Sequence, residues 1–186
     1  MLDPLVVTSV SVGFGLLLLL GAVHKLTSLT EFRAILADYR LLPAALVAPV
    51  AAGVGLLEAG LGGTWLFAAD KSLPAIVTAA LLSVYAGGIA INLFRGRTHI
   101  SCGCSFGRSA GGDDLLSWGL VGRNLVLVVG AGMAMLPATG RAFGGLDYFT
   151  LVAALLAAVL LFAASNQLIR NRAAIQAWRR TVNRHD

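Results

Sequence analysis

Five blocks of about 20 apolar residues constrain this chain more than any other feature. A block of that length crosses a hydrocarbon core about 30 Å thick as an α-helix. The blocks run over about 4–23, 44–69, 73–94, 117–136 and 148–169. Only 12% of the residues are charged against 58% hydrophobic, about half the charge of an ordinary soluble domain. This predicts an all-α integral membrane protein with about five transmembrane helices: a four-helix bundle core plus a fifth span. It forms a single membrane domain over 1–169, followed by a basic polar tail over 170–186. The net charge of +5 does not point to nucleic acid, because most basic residues flank apolar blocks, as membrane-orienting charges do. The first partner is the lipid bilayer.

The chain opens on Met1-Leu2-Asp3-Pro4, which has no basic n-region, and no small-residue cleavage site breaks the first block. It is therefore read as a span and not as a secretory leader. Asp3 can cap that span, and Pro4 suits its first turn. Between the first two blocks, Leu29, Phe32, Ile35 and Leu36 alternate at helical spacing with Glu31, Arg33, Asp38 and Arg40. That pattern predicts a short amphipathic helix on the membrane surface, capped by Thr30. In the second block Ala51, Gly55, Ala59 and Gly63 recur every four residues, a stripe that would let another helix approach closely. Asp70-Lys71-Ser72 is a tight turn, and the basic tail reads as a surface helix around Trp178.

Five spans place the first connection, the connection over about 95–116 and the tail on one face. That face holds eleven of the 14 Lys and Arg residues, and the opposite face holds only Lys71 and Arg141. The positive-inside rule then puts the N-terminus outside and the 95–116 connection in the cytoplasm.

That connection contains Ile100-Ser101-Cys102-Gly103-Cys104-Ser105-Phe106-Gly107, with the only two cysteines of the chain. Residues i and i+2 can bring their α-carbons within disulfide range, about 4.4–6.8 Å, if the backbone bends sharply between them. Gly103 is the hinge that permits the bend. So small a ring should be strained, and strained, exposed disulfides tend to be labile or catalytic ones. A structural staple would close a longer loop. Arg95, Arg97, His99 and Arg108 are close in sequence, and positive charge favours the reactive thiolate. A metal site from His99, Cys102, Cys104 and Asp113 or Asp114 is the rival reading. Structural zinc sites, however, use two cysteine clusters with wider spacing, so no metal is expected. Two loop cysteines with no special role are the plainer alternative.

Polar residues inside the spans are the second feature. Glu58 lies 14 residues into the second block, roughly 21 Å along the helix. A carboxylate so placed is expected to be protonated or paired, with Arg123 as its partner. His24, Lys25, Tyr39, Asn92, Arg123 and Asn124 all fall towards the cysteine face. Singly, each reads as an interfacial anchor or an interhelical hydrogen bond. Together with Glu58 they make a polar bundle end beneath Cys102 and Cys104. Trp118 reads as an aromatic-belt residue.

Several of these pieces occur together in one known family. Gly21-Ala22-Val23-His24-Lys25-Leu26, Tyr39-Arg40-Leu41-Leu42-Pro43, Leu57-Glu58, the Cys102-Gly103-Cys104 loop, Leu116-Ser117-Trp118 and Arg123-Asn124 resemble the methylamine-utilisation protein MauE family, which is related to DoxX-like membrane proteins. The family loop commonly reads Cys-Gly-Cys-Phe-Gly; here Ser105 precedes Phe106. The resemblance implies a bacterial inner-membrane protein linked to thiol–disulfide chemistry. Its partners would be a thioredoxin-like protein of the MauD type and an exported, disulfide-containing substrate such as the small subunit of methylamine dehydrogenase. Such substrates fold outside the cytoplasm, whereas the charge count puts the pair inside. The layout is also similar to vitamin K epoxide reductase, a fold-level likeness only. No cofactor is expected, and a quinone is the one candidate that this likeness offers. The reading is thus a membrane thiol–disulfide redox protein using Cys102 and Cys104. The alternative is a non-catalytic assembly subunit that docks partner helices on its small-residue stripe. A transporter centred on Glu58 is weaker, since no broken-helix repeats occur.

Overall fold

A computed structural model describes residues 2–98, 100, 116–137 and 139–182, the side chains of 170, 172–174 and 176–182 excepted. Six helices follow one another: α1 (Pro4–Thr27), α2 (Leu29–Asp38), α3 (Ala44–Phe67), α4 (Ser72–Phe94), α5 (Trp118–Met133) and α6 (Gly145–Val182). Among the described residues the fold is all-α apart from one bridge, where Leu2 pairs with Pro137 and Thr139 at 2.9 and 2.8 Å. α1, α3, α4 and residues Gly145–Ile169 of α6 are long and apolar enough to cross a membrane; α5 is a shorter apolar helix. At 1.5 Å per residue, α1 is about 36 Å long and α5 about 24 Å. The chain is a multi-pass α-helical membrane protein.

Local chemistry sets most helix ends. Asp3 caps α1, its Oδ1 accepting from the Leu5 amide at 2.9 Å, and Pro4 occupies the first turn. α1 runs a turn past the apolar block, to Thr27, because His24 and Lys25 suit the negative end of the helix dipole. Ser28 alone separates α1 from α2, so α2 begins there and not after Thr30. Arg40 ends α2 in the left-handed conformation (φ 48°), and Pro43 precedes α3. Lys71 closes α3, donating to the carbonyls of Trp65 and Ala68 at 2.8 and 2.5 Å. In the same turn Asp70 accepts from the Ser72 amide. α6 starts before Tyr148 and does not stop at Ile169. No glycine or proline interrupts residues 146–182, so the first part of the basic tail continues the helix.

α1 packs antiparallel on α3, and α4 on α5; these are the two tightest pairs. A β-carbon at Gly62 would lie 2.6 Å from Leu19 Cγ and 3.0 Å from the Gly15 carbonyl oxygen. Glycine there lets the two backbones touch. Gly55 likewise admits Leu26. The buried stripe of α3 is Val47, Ala51, Gly55, Glu58, Leu61, Gly62 and Trp65. It departs from the expected four-residue ladder after Gly55, because an α-helix has 3.6 residues per turn and a strict four-residue stripe drifts off the face. Gly63 accordingly has open space around it, and Gly55 is used within this chain.

The main core gathers Phe14 and Leu18 of α1, Leu61 and Trp65 of α3, Leu81 and Leu82 of α4, and Ala131 of α5. Trp65 stacks on Phe14 and donates its indole N–H to Thr78 Oγ1 at 2.9 Å. α6 lies outside this core. None of its membrane-length window is buried, and Phe149, Val152, Leu156, Val159 and Leu160 face outward, as lipid-facing residues do.

Candidate functional site

The polar end of the bundle is organised around Glu58. Glu58 is only 3% exposed, and its carboxylate accepts two hydrogen bonds from Lys25 Nζ, at 2.9 Å to Oε1 and 2.7 Å to Oε2. The Tyr85 hydroxyl donates to Oε1 at 2.6 Å. Three helices therefore meet at one carboxylate: α1 through Lys25, α4 through Tyr85, and α3 itself. Gly21 makes the approach possible, since a β-carbon there would sit 3.2 Å from Glu58 Oε2. Lys25, 6% exposed, also faces the rings of Phe32 at 5.6 Å and Tyr85 at 5.7 Å.

This corrects the expected partner of Glu58. Depth counted along α3 placed the carboxylate within reach of Arg123, but helices in a bundle are staggered. The Leu26–Gly55 contact sets the end of α1 level with the middle of α3. The first turns of α3 then run beyond α1, and α2 packs on α3 as well. Glu58 thus meets the last turn of α1. Arg123 points instead to α6, donating from Nη1 to Asn166 Oδ1 at 2.6 Å with its guanidinium 5.3 Å from the Phe162 ring. Beside it, a β-carbon at Gly119 would meet Ile169 at 3.0 Å.

A hollow between α1 and α2 is lined by His24, Lys25, Ser28, Glu31, Phe32 and Ile35, and so touches the lysine of the ion pair. Next to it a second apolar cluster joins Tyr39 at the end of α2, Ile89 of α4, and Leu116 and Leu120 at the start of α5, with Ile35, Ile100 and Ile169 against it. The Leu116 amide donates to the Ile100 carbonyl at 3.2 Å, and Phe94 meets Trp118 edge to face at 5.0 Å. The two ends of the 101–115 connection are thereby held together. Asn92 and Asn124 are buried on α4 and α5. Each donates its amide to the carbonyl four residues back, Gly88 at 3.1 Å and Leu120 at 3.0 Å. Cys102, Gly103 and Cys104, with His99, Arg108, Asp113 and Asp114, lie outside the described residues.

Two participants escaped sequence reasoning. Tyr85 carries a phenol in an apolar span, and a buried tyrosine hydroxyl usually finds a partner; it also shares a helix face with Ile89 and Asn92. Asn166 was a polar residue in the last span at the depth of Arg123. Phe32 was read as apolar surface alone, and its role as a face for the Lys25 ammonium depends on the sharp joint at Ser28.

These features define a class: a multi-pass α-helical membrane protein with a buried lysine–glutamate pair, joined by a half-buried tyrosine, where the end of α1 meets α3 and α4. Comparison with known proteins narrows the class. The sequence model of one family, Methylamine utilisation protein MauE, matches residues 3–137. The chain is 43% identical over 102 residues to the methylamine utilization protein MauE of Methylophilus methylotrophus, spanning 55% of this chain and 54% of that protein. It is 36% identical over 141 residues to the MauE of Paracoccus denitrificans (75% and 72%). It is 35% identical over 165 residues to that of Methylorubrum extorquens (88% and 87%). The chain belongs to the MauE family. No solved structure matches it.

Proposed function

We propose that this protein is a membrane thiol–disulfide redox protein of methylamine utilisation, with Cys102 and Cys104 as its redox couple. It supports the maturation of exported, disulfide-containing proteins of the methylamine dehydrogenase small-subunit type, together with a thioredoxin-like partner. One observation carries this reading. In a chain of a family named for methylamine utilisation, the only two cysteines stand as Cys-Gly-Cys between α4 and α5.

The chemistry balances within the pair and its partner. A thiolate of the pair attacks a partner disulfide, forming a mixed disulfide and expelling a partner thiolate. The second cysteine attacks the mixed disulfide and expels the other partner thiolate. Two electrons leave the pair, which becomes the disulfide, and its two protons pass to the partner thiols. The reverse sequence reloads the pair. Arg95 and Arg97 at the end of α4 supply positive charge beside the connection, which favours the thiolate.

Cys102→Ser and Cys104→Ser are each expected to abolish growth on methylamine while leaving the protein in the membrane. The single variant that keeps the attacking cysteine and lacks the resolving one should also trap a mixed disulfide with the partner. Growth at the wild-type rate in either variant would end the redox reading. In the same cells, labelling of the pair by an impermeant thiol reagent before and after the cells are opened decides between the cytoplasmic face, which the charge count favours, and the outer face, where exported substrates fold.

A further inference from the structure

We infer that the cleft between α5 and α6 at Arg123 is a binding site for the headgroup phosphate of an anionic phospholipid. The site stands independently of the redox reading above.

Arg123 is a cation without an anion. An arginine keeps its charge in a protein and carries a fork of N–H donors suited to phosphate. Arg123 gives one donor to the neutral Asn166 Oδ1 and lays its guanidinium against the Phe162 ring. Its Nε is buried and meets no acceptor. Among the described residues the ion pairs are Lys25–Glu58, Arg141–Asp3 and Arg141–Asp147, so no carboxylate there neutralises Arg123. Lys25, also within a span, has its carboxylate; Arg123 has only an amide oxygen and a ring. A charge in a span is costly unless it is paired or reaches the interface.

The level of Arg123 matches that of a lipid phosphate. Residues 125–136 on α5 and 151–164 on α6 contain no charged or amide side chain. Arg123 and Asn166 therefore stand where both helices leave the apolar layer. One turn further out, Gly119 packs on Ile169. Trp118 follows, exposed and edge to face with the exposed Phe94 at 5.0 Å, as interfacial aromatic residues are. Arg123 and Trp118 are five residues apart, about 7.5 Å along the helix. The headgroup layer is about 5–8 Å deep on each side of the bilayer, so the two residues bracket it. Arg95 and Arg97 come directly after Phe94, at the outer edge of the same layer.

Two features select a lipid over a water-soluble anion, and an anionic lipid over a zwitterionic one. The outward stripe of α5 runs from Trp118 through Gly122, Leu125, Val126 and Val129, all exposed. Gly122 has open space where a side chain would be, which leaves room for an acyl chain beside the guanidinium. A choline headgroup would carry its own cation towards Arg95 and Arg97, whereas a net negative headgroup brings none. The sequence that continues α6 over 170–182 adds four arginines and no acidic residue. Basic sites between membrane helices select anionic headgroups in this way.

The test uses the full chain with Trp178→Phe in vesicles of phosphatidylcholine and phosphatidylglycerol, one of the two carrying brominated acyl chains. Bromine quenches a tryptophan that it touches. Trp118 is the exposed reporter, and Trp65, buried in the core, gives a constant background. Quenching should show phosphatidylglycerol favoured over phosphatidylcholine at Trp118. Arg123→Met should lower that preference about tenfold, the effect of losing one charged hydrogen bond. Asn166→Leu removes the protein acceptor and leaves the charge, so the preference should persist. This variant separates a lipid site from a purely structural hold on α6, and it keeps the test open if Arg123→Met does not fold. Arg33→Gln removes an exposed charge from α2 and should change nothing. Equal quenching by both lipids in the parent protein, the result if the missing anion were a carboxylate of a partner helix, would overturn the inference. So would a preference that survives Arg123→Met, one lost in Asn166→Leu or Arg33→Gln, or one abolished by inorganic phosphate at constant ionic strength.

Discussion

Gly62→Ala tests the arrangement on which the polar site depends. The added methyl would lie 2.6 Å from Leu19 Cγ, 3.0 Å from Leu19 Cδ2 and 3.0 Å from the Gly15 carbonyl oxygen. Leu19 can shift, but the carbonyl belongs to the backbone of α1, so relief requires the two helices to separate. Overpacking of this kind costs about 1–3 kcal/mol. Alanine returns about 0.5–1 kcal/mol by stiffening the helix relative to glycine. Gly60→Ala supplies the control, since a β-carbon at Gly60 meets nothing within 4 Å. The helix-propensity gain is common to both variants, so the gap between them isolates the clash, about 1–3 kcal/mol. Equilibrium unfolding of both proteins in the same detergent or bicelle should place Gly60→Ala at or above the wild type and Gly62→Ala below it. The steric reasoning fails if Gly62→Ala is as stable as Gly60→Ala. The register of α1 on α3, which brings Lys25 to Glu58, would then have to be different.

Two further outcomes follow from contacts away from that seam. Arg123→Met should loosen α6 by removing the bond to Asn166 and the contact with Phe162. Gly119→Cys with Ile169→Cys, in a background without the two native cysteines, should cross-link readily with Arg123 present and about tenfold less with Met there, the effect of losing one charged hydrogen bond; equal yields would show that Arg123 does not hold α6. At the other end, Arg141 donates to Asp3 at 3.2 and 3.3 Å and to Asp147 at 2.8 and 2.9 Å. The Arg141 bond, followed by the Leu5 amide, holds the Asp3 carboxyl below its ordinary value of 3.8. A lowered folded value means that the stabilisation is full above the ordinary value and is lost as pH falls through the lowered one. Protection of the Leu5 amide should therefore drop on acidification below the ordinary carboxylate range. In Arg141→Gln the drop should move to higher pH, and an unchanged midpoint would exclude the clamp.

The sequence carried the helices more clearly than their partners, and Glu58 shows why. Hydropathy and length locate a span because the bilayer sets one length scale for every helix. The amphipathic pattern of α2 was equally plain: Phe32, Ile35 and Leu36 are half-buried while Glu31, Arg33 and Asp38 are exposed. Membership of the family was legible as well, because short motifs kept their order and spacing. The partner of Glu58 was not, because pairing depends on the relative height of two helices, which no single segment encodes. That height comes from small residues on facing helices, Gly62 beside Gly15 and Leu19, Gly55 beside Leu26, and Gly21 beside Glu58. Read singly, those glycines form a stripe; read as facing pairs, they fix the stagger. The stagger selects Lys25 over Arg123 as the partner, and Lys25 sits one turn from the Ser28 joint. The polar end is therefore tied to α2 by the packing that buries Glu58, through Lys25 and its contact with Phe32.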